Sequence, residues 1–119
     1  FDVRTPGVEV SAQALSGGNQ QKLIVGREMF SEPTVLVAAH PTRGIDVGAQ
    51  AAVWESLREA KRQGKGLLLV SADLDELIGL SDRLLVMLRG SIVAALDPQE
   101  ISAAELGAYM TGVRMQETV

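Results

Sequence analysis

Leu15-Ser16-Gly17-Gly18-Asn19-Gln20-Gln21-Lys22 is the stretch that decides how this chain folds. It sets a hydroxyl and two glycines at the start of a helical pattern. That pattern runs from Gly17 to Phe30, with Leu23, Ile24, Arg27 and Phe30 at helical spacing and Ser31-Glu32-Pro33 as its stop. Glycines let a phosphate come close to the backbone, and the unpaired N–H groups at a helix start, with the positive end of the dipole, attract it. An ordinary Ser/Gly helix cap would use the same residues. The flanking sequence has to choose between the two.

Upstream, Phe1–Leu15 reads as irregular or short extended structure around Pro6 and Gly7. Downstream, Thr34–Ala39 is a short apolar run suited to a strand buried on both faces. His40–Gly48 is a loop punctuated by Pro41, Gly44 and Gly48. Ala49–Arg62 is an amphipathic helix, with Ala52, Val53, Leu57 and Ala60 inward and Glu55, Arg58, Glu59 and Lys61 outward. After Gly64-Lys65-Gly66 breaks it, Leu67–Ala72 predicts a second buried strand. Asp73–Leu80 follows as a short helix with acids at its start. Leu84–Leu88 and Ile92–Leu96 flank Arg89-Gly90-Ser91 as a hairpin, and Ser102–Met110 is a last helix with Ser102 and Glu105 at capping-box spacing. The order predicts an α/β fold, a mainly parallel sheet with flanking helices and a late strand hairpin.

Composition narrows the function classes. The 119 residues allow one domain at most, and 46% hydrophobic residues with only 3% aromatic ones call for a core of Leu, Val, Ile and Ala. The net charge of −4, without a basic stripe, argues against a nucleic-acid partner. With no cysteine and a single histidine, His40, disulfides, Cys-based metal sites and multi-His metal sites are excluded. No apolar run approaches the roughly 20 residues of a membrane span, so any membrane connection is expected through a partner.

The whole octet resembles the signature motif of ABC ATPases, in the NQQK form of the fused ATPases that serve monosaccharide and nucleoside importers. The rest of the chain is similar to that family in the family's order. Thr34–Ala39 followed by His40-Pro41-Thr42-Arg43-Gly44-Ile45-Asp46-Val47-Gly48-Ala49 resembles the Walker B strand and D-loop. Leu67–Leu74 resembles the switch strand, and the closing Glu105–Gly112 resembles the end of nucleoside-type members. The resemblance implies the C-terminal part of the second nucleotide-binding domain. Residues 1–112 are expected to form a partial domain of the P-loop NTPase type and 113–119 a frayed tail. The G-x-x-x-x-G-K-[ST] phosphate loop, absent here, is expected upstream in a longer protein.

Departures from the family pattern bear on chemistry. Where the family ends Walker B with Asp-Glu, this chain has Ala39 and His40, and where the switch strand carries a histidine it has Ala72. The aspartate would help hold the Mg²⁺ shell and the glutamate would orient water. A methyl and an imidazole replace neither carboxylate, so no intact catalytic set and no metal ligands are expected. The resemblance implies that Ser16, Gly17, Gly18, Asn19 and Gln20 meet the phosphates of an ATP held by a partner ATPase domain, with Asp46 coupling the two sites. ATP and Mg²⁺ would serve the full assembly at the cytoplasmic face of a bacterial membrane, beside permease subunits and, indirectly, an extracytoplasmic solute-binding protein. A catalytically silent regulatory half and a soluble non-transport ABC ATPase are the alternatives.

Smaller features have plainer readings. Asp73, Asp75 and Glu76 read as acids complementing a helix start rather than as a metal cluster, and Trp54 as core or edge packing. Without the upstream half, apolar faces would stand uncovered, leaving self-association open.

Overall fold

A computed structural model describes Gly17–Gln116, with side chains from Ile24 onward. Its elements are α1 (Gly17–Phe30), β1 (Val35–Ala39), α2 (Val47–Arg62), β2 (Gly66–Val70), α3 (Leu74–Leu80), β3 (Leu84–Leu88), β4 (Ser91–Leu96) and α4 (Ala103–Met110). The chain forms two compact units, Phe1–Val70 and Ser71–Val119. Their described parts hold a parallel pair, β1–β2, in the first and an antiparallel pair, β3–β4, in the second.

In the first unit, the helical stripe expected of α2 is the one that packs: Val53, Leu57 and Ala60 are each 0% exposed. Outside it, Arg62 bridges Glu55 and Glu59, both at 2.8 Å, and these carboxylates hold the guanidinium pKa above its ordinary value. α2 lies against β2 and α1 against α2. Among the α1 residues whose side chains are described, Val25, Gly26 and Met29 are partly covered. Ile24, Arg27 and Phe30, expected to share a face, are exposed.

β1 and β2 pair in register Leu36↔Leu67 and Ala38↔Leu69. Both were expected to be buried on both faces, and that expectation is corrected. Leu36 is 8% exposed, whereas Val35, Val37, Leu68 and Val70 on the other face are 59%, 63%, 57% and 46% exposed. Alternation puts these four on one side of the pleat, the side that α2 leaves bare.

In the second unit, Leu84, Val86, Val93, Ala94, Leu106 and Tyr109 form a core, with Leu77, Ile78 and Leu96 packed around it. The turn between β3 and β4 is Arg89-Gly90, with φ 52° and 82°, the two left-handed residues of a tight hairpin whose twist matches its strands. The register slips between Val86 and Met87, where Val86 faces Ala94 but Met87 faces Ile92. The extra residue is Val93, and this bulge lets the adjacent Val93 and Ala94 both turn to the core. Ser102 caps α4 with the reciprocal box expected of Glu105. Of the expected frayed tail, residues 114 and 116 make hydrogen bonds, and 117–119 lie outside the described residues.

Candidate functional site

The carboxyl ends of parallel strands are where α/β sheets present their chemistry. β1 reaches that end at Ala39, and the next residue, His40, donates its backbone N–H to Val70 O at 2.7 Å. His40 then adopts φ 49°, a left-handed conformation that costs a non-glycine residue about 1 kcal/mol, and its carbonyl accepts from Arg43 N–H at 3.3 Å. That bend takes the chain off the ladder and starts the loop. Pro41 and Thr42 are buried, and Gln50 Nε2 donates to Thr42 Oγ1 at 3.4 Å, which ties the loop to α2. Gly44 makes a second left-handed turn at φ 76°.

Asp46 closes the loop as the N-cap of α2. Its backbone is extended, its Oδ1 accepts the Ala49 N–H at 2.8 Å, and its carbonyl accepts from Gln50 N–H at 2.8 Å. An Asx side chain at that position satisfies one of the open donors of the first turn. Asp46 was expected to couple two sites ahead of a helix starting at Ala49; α2 instead starts at Val47, with Asp46 as its cap. The signal was present as an aspartate three residues ahead of the helical pattern.

At the strand end itself, Ala39 offers only a methyl group and His40 a half-buried imidazole. Neither supplies the anionic oxygens that a hard Mg²⁺ ion takes, so this pair does not fit that metal.

Ala72 was expected on the second strand, but β2 ends at Val70, which corrects its placement. Ser71 Oγ accepts the Asp73 N–H at 3.0 Å and Asp73 Oδ1 accepts the Glu76 N–H at 3.0 Å. These two local bonds compete with the ladder and draw the backbone into the N-terminus of α3. Ala72 sits in that connection, exposed to solvent. Asp73 therefore caps α3 and Asp75 lies in its first turn, as acids complementing a helix start should. Glu76 shares that first turn and is 1% exposed. Among the described residues, no buried side-chain polar atom is left without a hydrogen-bond partner. Trp54 is half-buried, in keeping with an edge-packing role.

Of the residues expected to meet phosphate, Ser16 lies outside the described residues. Gly17, Gly18, Asn19 and Gln20 form the first turn of α1, and only their backbone is described. Gly17 and Gly18 carry no β-carbon, so a phosphate could approach the N–H groups at that end closely.

Comparison with known proteins ties these pieces together. No protein-family model matches the chain. It is 50% identical to a guanosine import ATP-binding protein of Bacillus subtilis, over 98% of this chain and 23% of that protein. It is 42% identical to a galactose/methyl galactoside import ATP-binding protein of Sodalis glossinidius, over 87% of this chain and 21% of that protein. Among solved structures, a nucleotide-free ATP-binding cassette from an ABC transporter superimposes with a TM-score of 0.68 at 26% identity, over 82% of this chain and 37% of that one. The chain thus spans about a quarter of the length of the curated relatives it matches. Its relatives are thus ATP-binding proteins of nucleoside and sugar import, and its described stretch is like the ABC ATPase fold.

Proposed function

We propose that this chain is part of the ATP-binding subunit of an importer, in which ATP hydrolysis drives uptake of a nucleoside or simple sugar through membrane permease subunits. Within it, the Ser16–Gln20 stretch serves in trans an ATP whose Walker motifs belong to a partner ATPase domain. The observation that carries this reading is the carboxylate-free end of β1. Ala39 and His40 stand where a self-sufficient site would need a metal ligand and a water-orienting acid. A domain without them can still present a glycine-led helix start to a neighbour's phosphates. The names of the relatives support the importer class, and the 50% identity to a guanosine importer favours nucleosides as the cargo. The subunit would work at the cytoplasmic face of the membrane, held there by the permease, with ATP and Mg²⁺ bound in the assembled pair.

The test is made in the full-length protein. Ser16→Arg, which places a bulky cation where the γ-phosphate would approach, is expected to remove most ATP turnover. Ala72→His is expected to change little, because a restored imidazole finds no carboxylate partners at Ala39 and His40. A Ser16→Arg protein with normal turnover would refute the in-trans role. Rapid hydrolysis by residues 1–119 alone would refute the silence of their own half-site. Uptake of labelled guanosine against labelled galactose decides the cargo.

A further inference from the structure

The segment that follows α4 turns back onto the hairpin. Gly112 takes φ 79°, and a β-carbon there would stand 2.9 Å from Leu88 Cδ2, so glycine makes this reversal without strain. Past it, Arg114 N–H donates to Ala108 O at 3.1 Å, and the guanidinium lies 5.2 Å above the Tyr109 ring and 3.4 Å from Glu105 Oε2. Gln116 then reaches β4. Its Oε1 accepts the Ala95 N–H at 2.8 Å, its Nε2 donates to Ala95 O at 3.2 Å, and its backbone N–H donates to Val93 O at 3.4 Å.

These are backbone groups that the hairpin leaves over. Ala95 lies opposite Leu85 in the ladder, yet both its N–H and its C=O go to Gln116. It therefore belongs to a non-hydrogen-bonded pair, with its polar groups pointing away from β3. Val93 is the extra residue of the bulge and has no partner on β3. Backbone donors and acceptors left over in this way must be met by some other group. One glutamine does it: the carboxamide presents an acceptor and a donor to Ala95, and the backbone N–H serves Val93. Hydrogen bonds rather than apolar burial hold the segment, because Val113 and Met115 are 83% and 63% exposed.

We propose that residues 112–116 are a strap that opens and closes as one body over the outer edge of β4, with Gln116 as its latch. α4 packs against α3 and β3, and Arg114 anchors the strap on α4 through Ala108, Tyr109 and Glu105. Closed, the strap supplies the backbone partners that β4 lacks. Open, it bares them without disturbing the β3–β4 ladder. This device is independent of the ATP-facing role, since its residues lie on the hairpin, on α4 and after it.

The experiment measures amide hydrogen exchange in the full-length protein for wild type, Gly112→Ala and Gln116→Ala. Three amides are read: Ala95 under the latch, Arg114 at the anchor, and Leu96, which by alternation faces β3 and reports on the ladder. Gly112→Ala puts a β-carbon on a left-handed residue and should speed Ala95 and Arg114 by the same factor, about tenfold. Gln116→Ala removes two neutral hydrogen bonds and should speed Arg114 about tenfold as well, although the bond from Arg114 to Ala108 is untouched. Ala95 should then exchange at least as much faster, and Leu96 should keep its wild-type rate in both variants. Unchanged Arg114 exchange in Gln116→Ala would mean separate contacts and no common strap. Unchanged Ala95 exchange in either variant would mean that the latch does not guard the edge. Acceleration of Leu96 to match Ala95 would mean that the whole unit loosens. Each of these three results overturns the proposal.

Discussion

Asp46 carries two readings, one structural and one functional, and a pair of substitutions separates them. Its Oδ1 caps α2 through the Ala49 N–H at 2.8 Å, on an exposed site. Removing such a cap with alanine costs about 1 kcal/mol, within a range of roughly 0.5–2. Asparagine keeps the acceptor oxygen and loses the charge, so it forfeits only the attraction to the helix dipole, about 0.3–0.5 kcal/mol at an exposed, salt-screened site. With a urea slope near 2 kcal/mol/M for the unfolding of the domain that carries it, Asp46→Ala should lower the midpoint of that domain's transition by about 0.5 M and Asp46→Asn by about 0.2 M. If Asp46 also couples two ATP sites through its carboxylate, Asp46→Asn should reduce ATP turnover far more than its small stability loss accounts for. Equal midpoints for the two variants would refute the cap as the source of the stability. Full turnover in Asp46→Asn would refute the coupling carboxylate and leave Asp46 as a helix cap alone.

Other expectations follow from burial and charge. Leu57→Ala, at a side chain 0% exposed, should cost about 2–5 kcal/mol in a denaturant titration, because the surroundings relax only partly around the lost atoms. Leu68→Ser discriminates more: on the 57% exposed face seen here it should be nearly neutral, whereas a loss above roughly 1.5 kcal/mol in the full-length protein would show that another layer covers β1–β2 there. Glu105 is held below the ordinary glutamate value, first by the Ser102 hydroxyl, then by the Ser102 N–H, with Arg114 adding a smaller pull. A depressed folded pKa means that this contribution is present above the unfolded value, near 4.3, and fades as the pH falls through the folded one. The stability difference between wild type and Glu105→Gln should therefore lose its pH dependence at neutral pH and change only in acid, as checked by urea titrations at stepped pH.

Much of this protein was legible before any coordinates. The period of α2, the Arg89-Gly90 reversal, the Ser102–Glu105 box and the octet from Leu15 to Lys22 are all local patterns, set by residues within a few positions of one another. So are the missing carboxylates at Ala39 and His40, because chemistry absent from a side chain is absent in any fold. Tertiary structure decided what depends on neighbours distant in sequence. An apolar run such as Val35–Ala39 looks the same whether one or both of its faces are covered, and only the placement of α2 shows Val37 and Leu68 bare. The bulge at Val93 defeats strict alternation, so the burial of both Val93 and Ala94 could not be read from period-two spacing. Ser71 and Asp73 end β2 before Ala72 through side-chain bonds that compete with the ladder. Gln116 acquires its partner on β4, 21 positions back along the chain, only because Gly112 can turn where a side chain would collide with Leu88.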